Sequence, residues 1–407
     1  MLVVLLLGIL VLREPRLEQS EEFFLKWLLK NSELRTPSAP LTVVEIGADA
    51  LMDRDAPRDD AEASPHGGGN TISPLEFALF LQSVLQFQPP VVAFENILRW
   101  RDRDKDQEQI FMDQAMRVPR LLLAAELTTT PDLDSPGPEI QGFSRVKGKR
   151  GELIEFTGIG RQPNEEIRLI GTAGFINLPN EVADEIHVPL LFRYRGEVIP
   201  SFALEAILLW LRATPTEISI ELGSHISLPQ GHKIPIRRDG TLLISPNAGK
   251  KARHITLNEL LFAAQQRDAG QSAGPEIEGL RDQIVLARTP ANPLSPPDVF
   301  TAAIATIQSG AYLRRIGWGF DCVILLLAAG LVVKLWDISR VDLVLIALGF
   351  TAAYCLIALA VVSNWLIWLP GCLPLGTLWL LVLISIFTPG RHGGLRPKLP
   401  TIPPAIS

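Results

Sequence analysis

The chain has 407 residues, 47% hydrophobic and 20% charged, which excludes wholesale disorder and allows one or two folded units. Its 38 Lys and Arg against 44 Asp and Glu give a formal charge of −6, so the electrostatic footing of a nucleic-acid binder is missing and no nucleic acid is expected as a partner. The mean hydropathy of +0.22 is high for a soluble chain, and the excess sits at the two ends.

Residues 1–12, MLVVLLLGILVL, are apolar but short for a full crossing. No Lys or Arg precedes the run and no small-residue cleavage site follows it, so it is expected as an uncleaved anchor, with the true start of the chain left open. Residues 13–40 are expected as a juxtamembrane amphipathic helix and linker. The helix over Leu17–Leu34 has Phe23, Phe24, Trp27 and Leu28 on one stripe, expected to dock on the domain that follows, with lipid contact or dimerisation as the other readings.

A proline-rich TPSAP leads into LTVVEIGAD, Leu41–Asp49, read as a buried strand. After a polar loop over 54–70, SPLEFALFLQSVLQF opens on a Ser cap with Pro at the first helical position, and is a helix. VVAFENI, Val91–Ile97, follows the Pro89–Pro90 break as a second strand. The β–α–β order predicts a right-handed crossover and a parallel pair. A charged helix, RDRDKDQEQIFMDQAMR, and a third strand, RLLLAAEL (Arg120–Leu127), extend the pattern to an open α/β sheet, mixed but largely parallel and flanked by helices. Residues 128–170 read as an extended insert with weak strands. GFINL, VPLLFRYRGEVI and TLLIS are strand-like, SFALEAILLWLRA and ITLNELLFAAQQ are helical, and DQIVLAR, Asp282–Arg288, is a late buried strand.

Residues 314–387 are expected as three transmembrane helices, over 318–336, 341–362 and 365–387, joined by tight hairpins; Pro370, Gly371 and Pro374 should kink the last. With the N-terminal anchor this makes four crossings, forming an all-α bundle in the lipid bilayer. Lys334, Arg340 and the basic tail favour a cytoplasmic placement of residues 388–407, so the middle of the chain is placed outside the cytoplasm, on a multi-pass protein of the inner membrane. That middle is acidic: residues 1–317 hold 33 basic and 41 acidic groups. All three cysteines lie in the apolar spans, which excludes a disulfide framework in residues 41–313.

Chemistry is mostly looked for without success. HGGG at His66–Gly69 has the letters of an oxyanion loop, but no G-x-S-x-G accompanies it. GFSRVKGKR, from Gly142, echoes a phosphate loop with the wrong spacing and Arg150 in place of the magnesium-binding hydroxyl. The six histidines show no helical metal-ligand pairing and are assigned surface or capping roles. Asp102, Asp104 and Asp106 are interleaved with Arg and Lys. No catalytic residue, metal or cofactor is therefore expected. What remains is Glu45, Asp49, Glu95 and Asn96, at or near the carboxyl ends of two strands taken as adjacent. Open α/β sheets bind ligands in the crevice there. The same groups could instead cap helices or pair with Arg99 or Arg193. In a weaker reading, Glu45 and Glu95 form an acid/base pair.

The chain resembles the second type of CHASE domain, an extracellular sensory domain found with cyclases and histidine kinases. The resemblance covers about Leu41 to Leu313. It rests on the order of VVEIGAD, PPVVAFENIL, GFINLPNEVADEIHVPLLFRYRGEVIPSFALEAI, IRRDGTLLIS and LRDQIVLARTP, followed by AAIATIQSGAYLRR just before the apolar spans. The family usually has Asp at its first two strand ends, where this chain has Glu45 and Glu95, and a tryptophan-rich turn where this chain has the loop Ser64–Asn70. It commonly has Gly-Ala where this chain has Ala287–Arg288, and His-Ala where it has Thr301–Ala302. Members often continue into a cytoplasmic output domain, for which the roughly 20 residues after the last span are too short. The resemblance implies a sensor for an unknown small ligand, signalling through its transmembrane helices to a separate cytoplasmic partner or as a homo-oligomer. The alternative is a structural or assembly protein of the cell envelope without a ligand.

Overall fold

The computed structural model describes residues 15–32, 35, 37–47, 72–100, 105–131, 140–179, 186–289, 298–317, seven positions within 319–330, and 340–387. They fall into two compact units, with boundaries after Ser32 and after Leu313. The anchor at 1–12, the polar loop with HGGG, Asp49, Asp102, Asp104 and the tail lie outside the described residues, as does most of the span expected over 318–336.

In residues 33–313 six strands form one sheet: β1 (Leu41–Glu45), β2 (Val91–Phe94), β3 (Leu121–Ala125), β4 (Thr172–Phe175), β5 (Arg253–Thr256) and β6 (Ile284–Arg288). Their order is β5-β1-β6-β2-β3-β4, and every neighbouring pair is parallel. Side chains alternate between two cores, as the two-residue period of a strand requires. Leu41, Val43, Val91, Ala93, Leu122 and Leu286 face α4 (Phe202–Leu211) and α6 (Val299–Ser309). Val44, Val92, Phe94, Leu123, Val285 and Ala287 face α2 (Pro74–Leu85), α3 (Lys105–Ala115) and α5 (Leu257–Asp268). The result is a three-layer sandwich with a largely parallel sheet, the class expected.

Two details differ from the sequence reading. β1 and β2 are not neighbours, because β6 lies between them. Ile284, Val285, Leu286 and Ala287 are all fully buried, and a strand apolar on both faces needs cover on both, which only the middle of the sheet provides. The segment taken as a helix from Ile255 begins as β5, whose polar Arg253 and His254 suit an edge. Thr256 then caps α5: its hydroxyl accepts from Glu259 N (3.2 Å) while the Glu259 carboxylate accepts from Thr256 N (2.8 Å).

The region after β3 builds smaller sheets, including one with the order 233–235, 225–227, 219–221, 145–147. A hairpin of Leu191–Tyr194 and Glu197–Pro200 is joined by Glu155–Phe156, where Arg193 pairs with Glu155.

In the other unit, α1 (Pro15–Asn31) packs on α7 (Arg340–Trp365) and α8 (Cys372–Phe387). Val341–Trp365 is the one described helix long and apolar enough to cross a membrane. The buried face of α1 is Glu21, Leu25, Leu28 and Leu29, whereas Phe23 is 78% and Trp27 40% exposed, so the stripe is rotated from the one expected. The last span also differs. Instead of one kinked helix over 365–387, the chain leaves α7 through Leu366 with φ +56°, pairs Ile367–Trp368 with Arg314–Arg315, and re-enters a helix at Cys372. Pro370 cannot donate to a continuing helix, and the partners of the break come from other elements. Gly371 N donates to the buried Glu21 carboxylate (2.7 Å), and the Tyr354 hydroxyl donates to the Pro370 carbonyl.

Candidate functional site

The carboxyl ends of β1, β6 and β2 bring Glu45, Arg288 and Glu95 to one end of the sheet's middle strands. Arg288 closes an otherwise apolar strand, and its guanidinium reaches two carboxylates: Nη2 donates to Glu45 (2.7 Å) and Nη1 to Asp298 (2.5 Å). The Arg288 side chain is 13% exposed, Glu45 28% and Asp298 20%, so the set is screened by water only in part. Burial alone would lower the Arg288 pKa. The hydrogen bonds from Glu45 and Asp298, with the charges of Asp298 and Glu95, outweigh it and hold the pKa above its ordinary value.

Asp298 immediately precedes α6 and has φ +68°, a left-handed conformation that Asp tolerates better than most residues. Gly249 makes room for it. A Cβ at Gly249 would lie 2.7 Å from Asp298 Cβ and 2.8 Å from its carbonyl oxygen. The same loop offers Gly249 O to His254 Nε2 at 3.2 Å, which sets the imidazole between Glu45 (3.8 Å) and Asp298 (4.0 Å). One cation-and-carboxylate junction thus joins β5, β1, β6 and the start of α6.

Asn96 follows Glu95 and is hydrogen-bonded to the neighbouring strand end. Its Nδ2 donates to Thr289 Oγ1 (2.6 Å) and its Oδ1 accepts from Thr289 N (3.0 Å), so it ties the end of β2 to the end of β6. Glu95 is 3% exposed beside it. The structure therefore gathers Glu45, Glu95 and Asn96 at the strand ends, while Asp49 lies outside the described residues. The partner of Glu45 is neither Arg99 nor Arg193 but Arg288. Sequence reasoning missed Arg288, His254 and Asp298. The available signal was a charged residue ending a fully apolar strand, IVLAR, where burial demands a counter-charge.

An entering carboxylate or phosphate competes with Glu45 and Asp298 for the guanidinium, and an entering cation competes with Arg288 for the carboxylates. Among the described residues no group of three or more His, Cys, Asp or Glu has the arrangement of a metal site.

A family model described as the CHASE2 domain matches residues 2–307, well over half of the chain. No curated protein and no solved structure matches.

Proposed function

The chain belongs to the CHASE2 domain family, whose members are extracellular sensory domains, and on that premise we propose that it is a membrane-anchored sensor whose signal passes from the strand-end junction to the membrane helices. The observation that carries this reading is the Arg288–Asp298 pair. It fixes the first residue before α6 to the centre of the sheet, and α6 ends only a few residues before Arg314, where the membrane unit begins. A ligand that competes for Arg288, or a packing change at the sheet edge, frees the start of α6. Such a change shifts an equilibrium only in proportion to the ligand's differential affinity for the two states.

In this reading the domain stands outside the cytoplasm, the apolar helices cross the inner membrane several times, and a separate partner or a second copy of the chain reads their displacement. The junction performs no catalysis. Hydrogen exchange on the full chain in nanodiscs tests the relay. Arg288→Ala and Asp298→Asn should speed exchange in α6 and also in residues 310–317. Faster exchange confined to the junction, with 310–317 unchanged, contradicts it.

A further inference from the structure

The segment that only echoed a phosphate loop has another use. Strand 145–147 ends at Gly148, after which Lys149 leads into a short turn over Arg150–Glu152. Lys149 and Glu152 line a cleft of about 240 Å³, with Leu222 and Arg238 on the other side.

The walls are set by close backbone approach. Gly148, at φ +108°, runs beside Leu222, whose N–H donates to Lys147 O (3.0 Å); a Cβ at Gly148 would lie 2.9 Å from Leu222 Cβ. Gly223, at φ +79°, donates to Arg237 O (3.2 Å) and lets the Arg238 stem cross it; a Cβ there would lie 2.8 Å from Arg238 Cγ. Both positions need glycine for the left-handed backbone and for the space. The cleft is thus held by a paired sheet edge rather than by a free loop.

Its charge is unusual for this chain. Residues 145–152 and 237–239 contain six Lys and Arg against two Asp and Glu, in a protein of net charge −6. Three other arginines of the domain do carry carboxylate partners: Arg161 with Glu126, Arg193 with Glu155, Arg288 with Glu45 and Asp298. Neither Lys149 nor Arg238 has a carboxylate partner among the described residues. The acid next to Arg238 is committed elsewhere, since Asp239 Oδ1 accepts from the Thr241 hydroxyl (2.7 Å) and from Thr241 N (3.1 Å). Arg237 turns to His187 (2.7 Å).

We propose that this cleft binds a phosphate-type oxyanion, with Arg238 as the planar fork and Lys149 as the point charge. Leu222 supplies an apolar floor for the group that carries the phosphate, and Glu152 accepts from a hydroxyl or ammonium on it. The site shares no residue with the strand-end junction and does not depend on the sensor reading. A free phosphate ester and an anionic lipid headgroup present the same chemistry.

The test uses the full chain in nanodiscs of phosphatidylcholine, titrated with inorganic phosphate by calorimetry at low salt. Saturable binding is expected, with a dissociation constant on the order of 1 mM for so small a probe. Arg238→Ala and Lys149→Ala should each weaken it about tenfold or more. Both side chains are exposed, so melting temperatures should be unchanged, and Arg117→Ala, at an exposed arginine after α3, should leave binding intact. Repeating the titration with phosphatidylglycerol in the disc separates the sources. Unchanged phosphate binding assigns the site to a free solute, and binding lost by competition assigns it to a headgroup. No saturable binding in phosphatidylcholine discs, or binding unaffected by both substitutions, overturns the proposal.

Discussion

Removing the Arg288 guanidinium leaves Glu45 and Asp298 facing each other without their shared counter-ion. Arg288→Ala should therefore cost about 3 kcal/mol or more, because breaking a partly buried ion cluster strands the charges left behind. Denaturant titration of the full chain measures this, and a loss under about 1 kcal/mol would place the cluster among weak surface pairs. Glu205, in the first turn of α4, gives a pH signature. Burial pushes its carboxyl from 4.5 up to about 7. Between those values the folded chain holds the proton that the unfolded chain has released, so stability falls as pH rises through the window. Above it, the desolvated carboxylate costs up to about 3 kcal/mol. Glu205→Gln should flatten this slope, stabilising the protein at pH 8 and not at pH 4; parallel curves for the two proteins contradict the assignment. Glu45, Glu95 and Asn96 were legible because polar residues at the end of an apolar strand stand out. Arg288 carried the same local signal, a charge closing the apolar strand IVLAR, but that Glu45 would be its partner, with His254 and Asp298 beside them, depends on contacts some 200 residues or more apart in the chain, which no local pattern encodes.

Elements show the same division between local and distant information. β2, β3, α2 and α3 follow from local patterns, namely apolar runs of strand length and capped runs of helical period. β5 was missed because an edge strand reading RHIT has no such run. The central place of β6 was missed because sheet order is set by which strand needs cover on both faces. Capping is local and readily tested: Thr256→Ala should lower stability by about 1 kcal/mol, seen as a shift in thermal melting, whereas Thr256→Ser should retain most of it. In the unit of α1, α7 and α8, the rotated face of α1 carries a buried acceptor, Glu21, among Leu25, Leu28 and Leu29. Glu21 accepts from the N–H of Gly371, which ties this face to the break before α8. The fit is close, since a Cβ on Gly371 would lie 2.1 Å from the Phe24 ring. Gly371→Ala should displace α1, and Phe24→Ala should relieve part of the damage. Additive effects of the two substitutions on melting would show that the two residues do not touch.

At the scale of the whole molecule, a parallel sheet covered on both faces is a domain that folds in water, and α7 is a helix fit for lipid. The CHASE2 family is one of extracellular sensory domains, and the proposed reading places residues 33–313 outside the cytoplasm on that ground. The account therefore depends on which side of the membrane residues 33–313 occupy. Reporter fusions in intact cells measure this most directly, with one junction at Asp132 and one at Lys398. A reporter that works only outside the cytoplasm should be active at Asp132 and silent at Lys398. A cytoplasmic reporter active at Asp132 would contradict the account, because a domain facing the cytoplasm cannot sense what lies beyond the membrane.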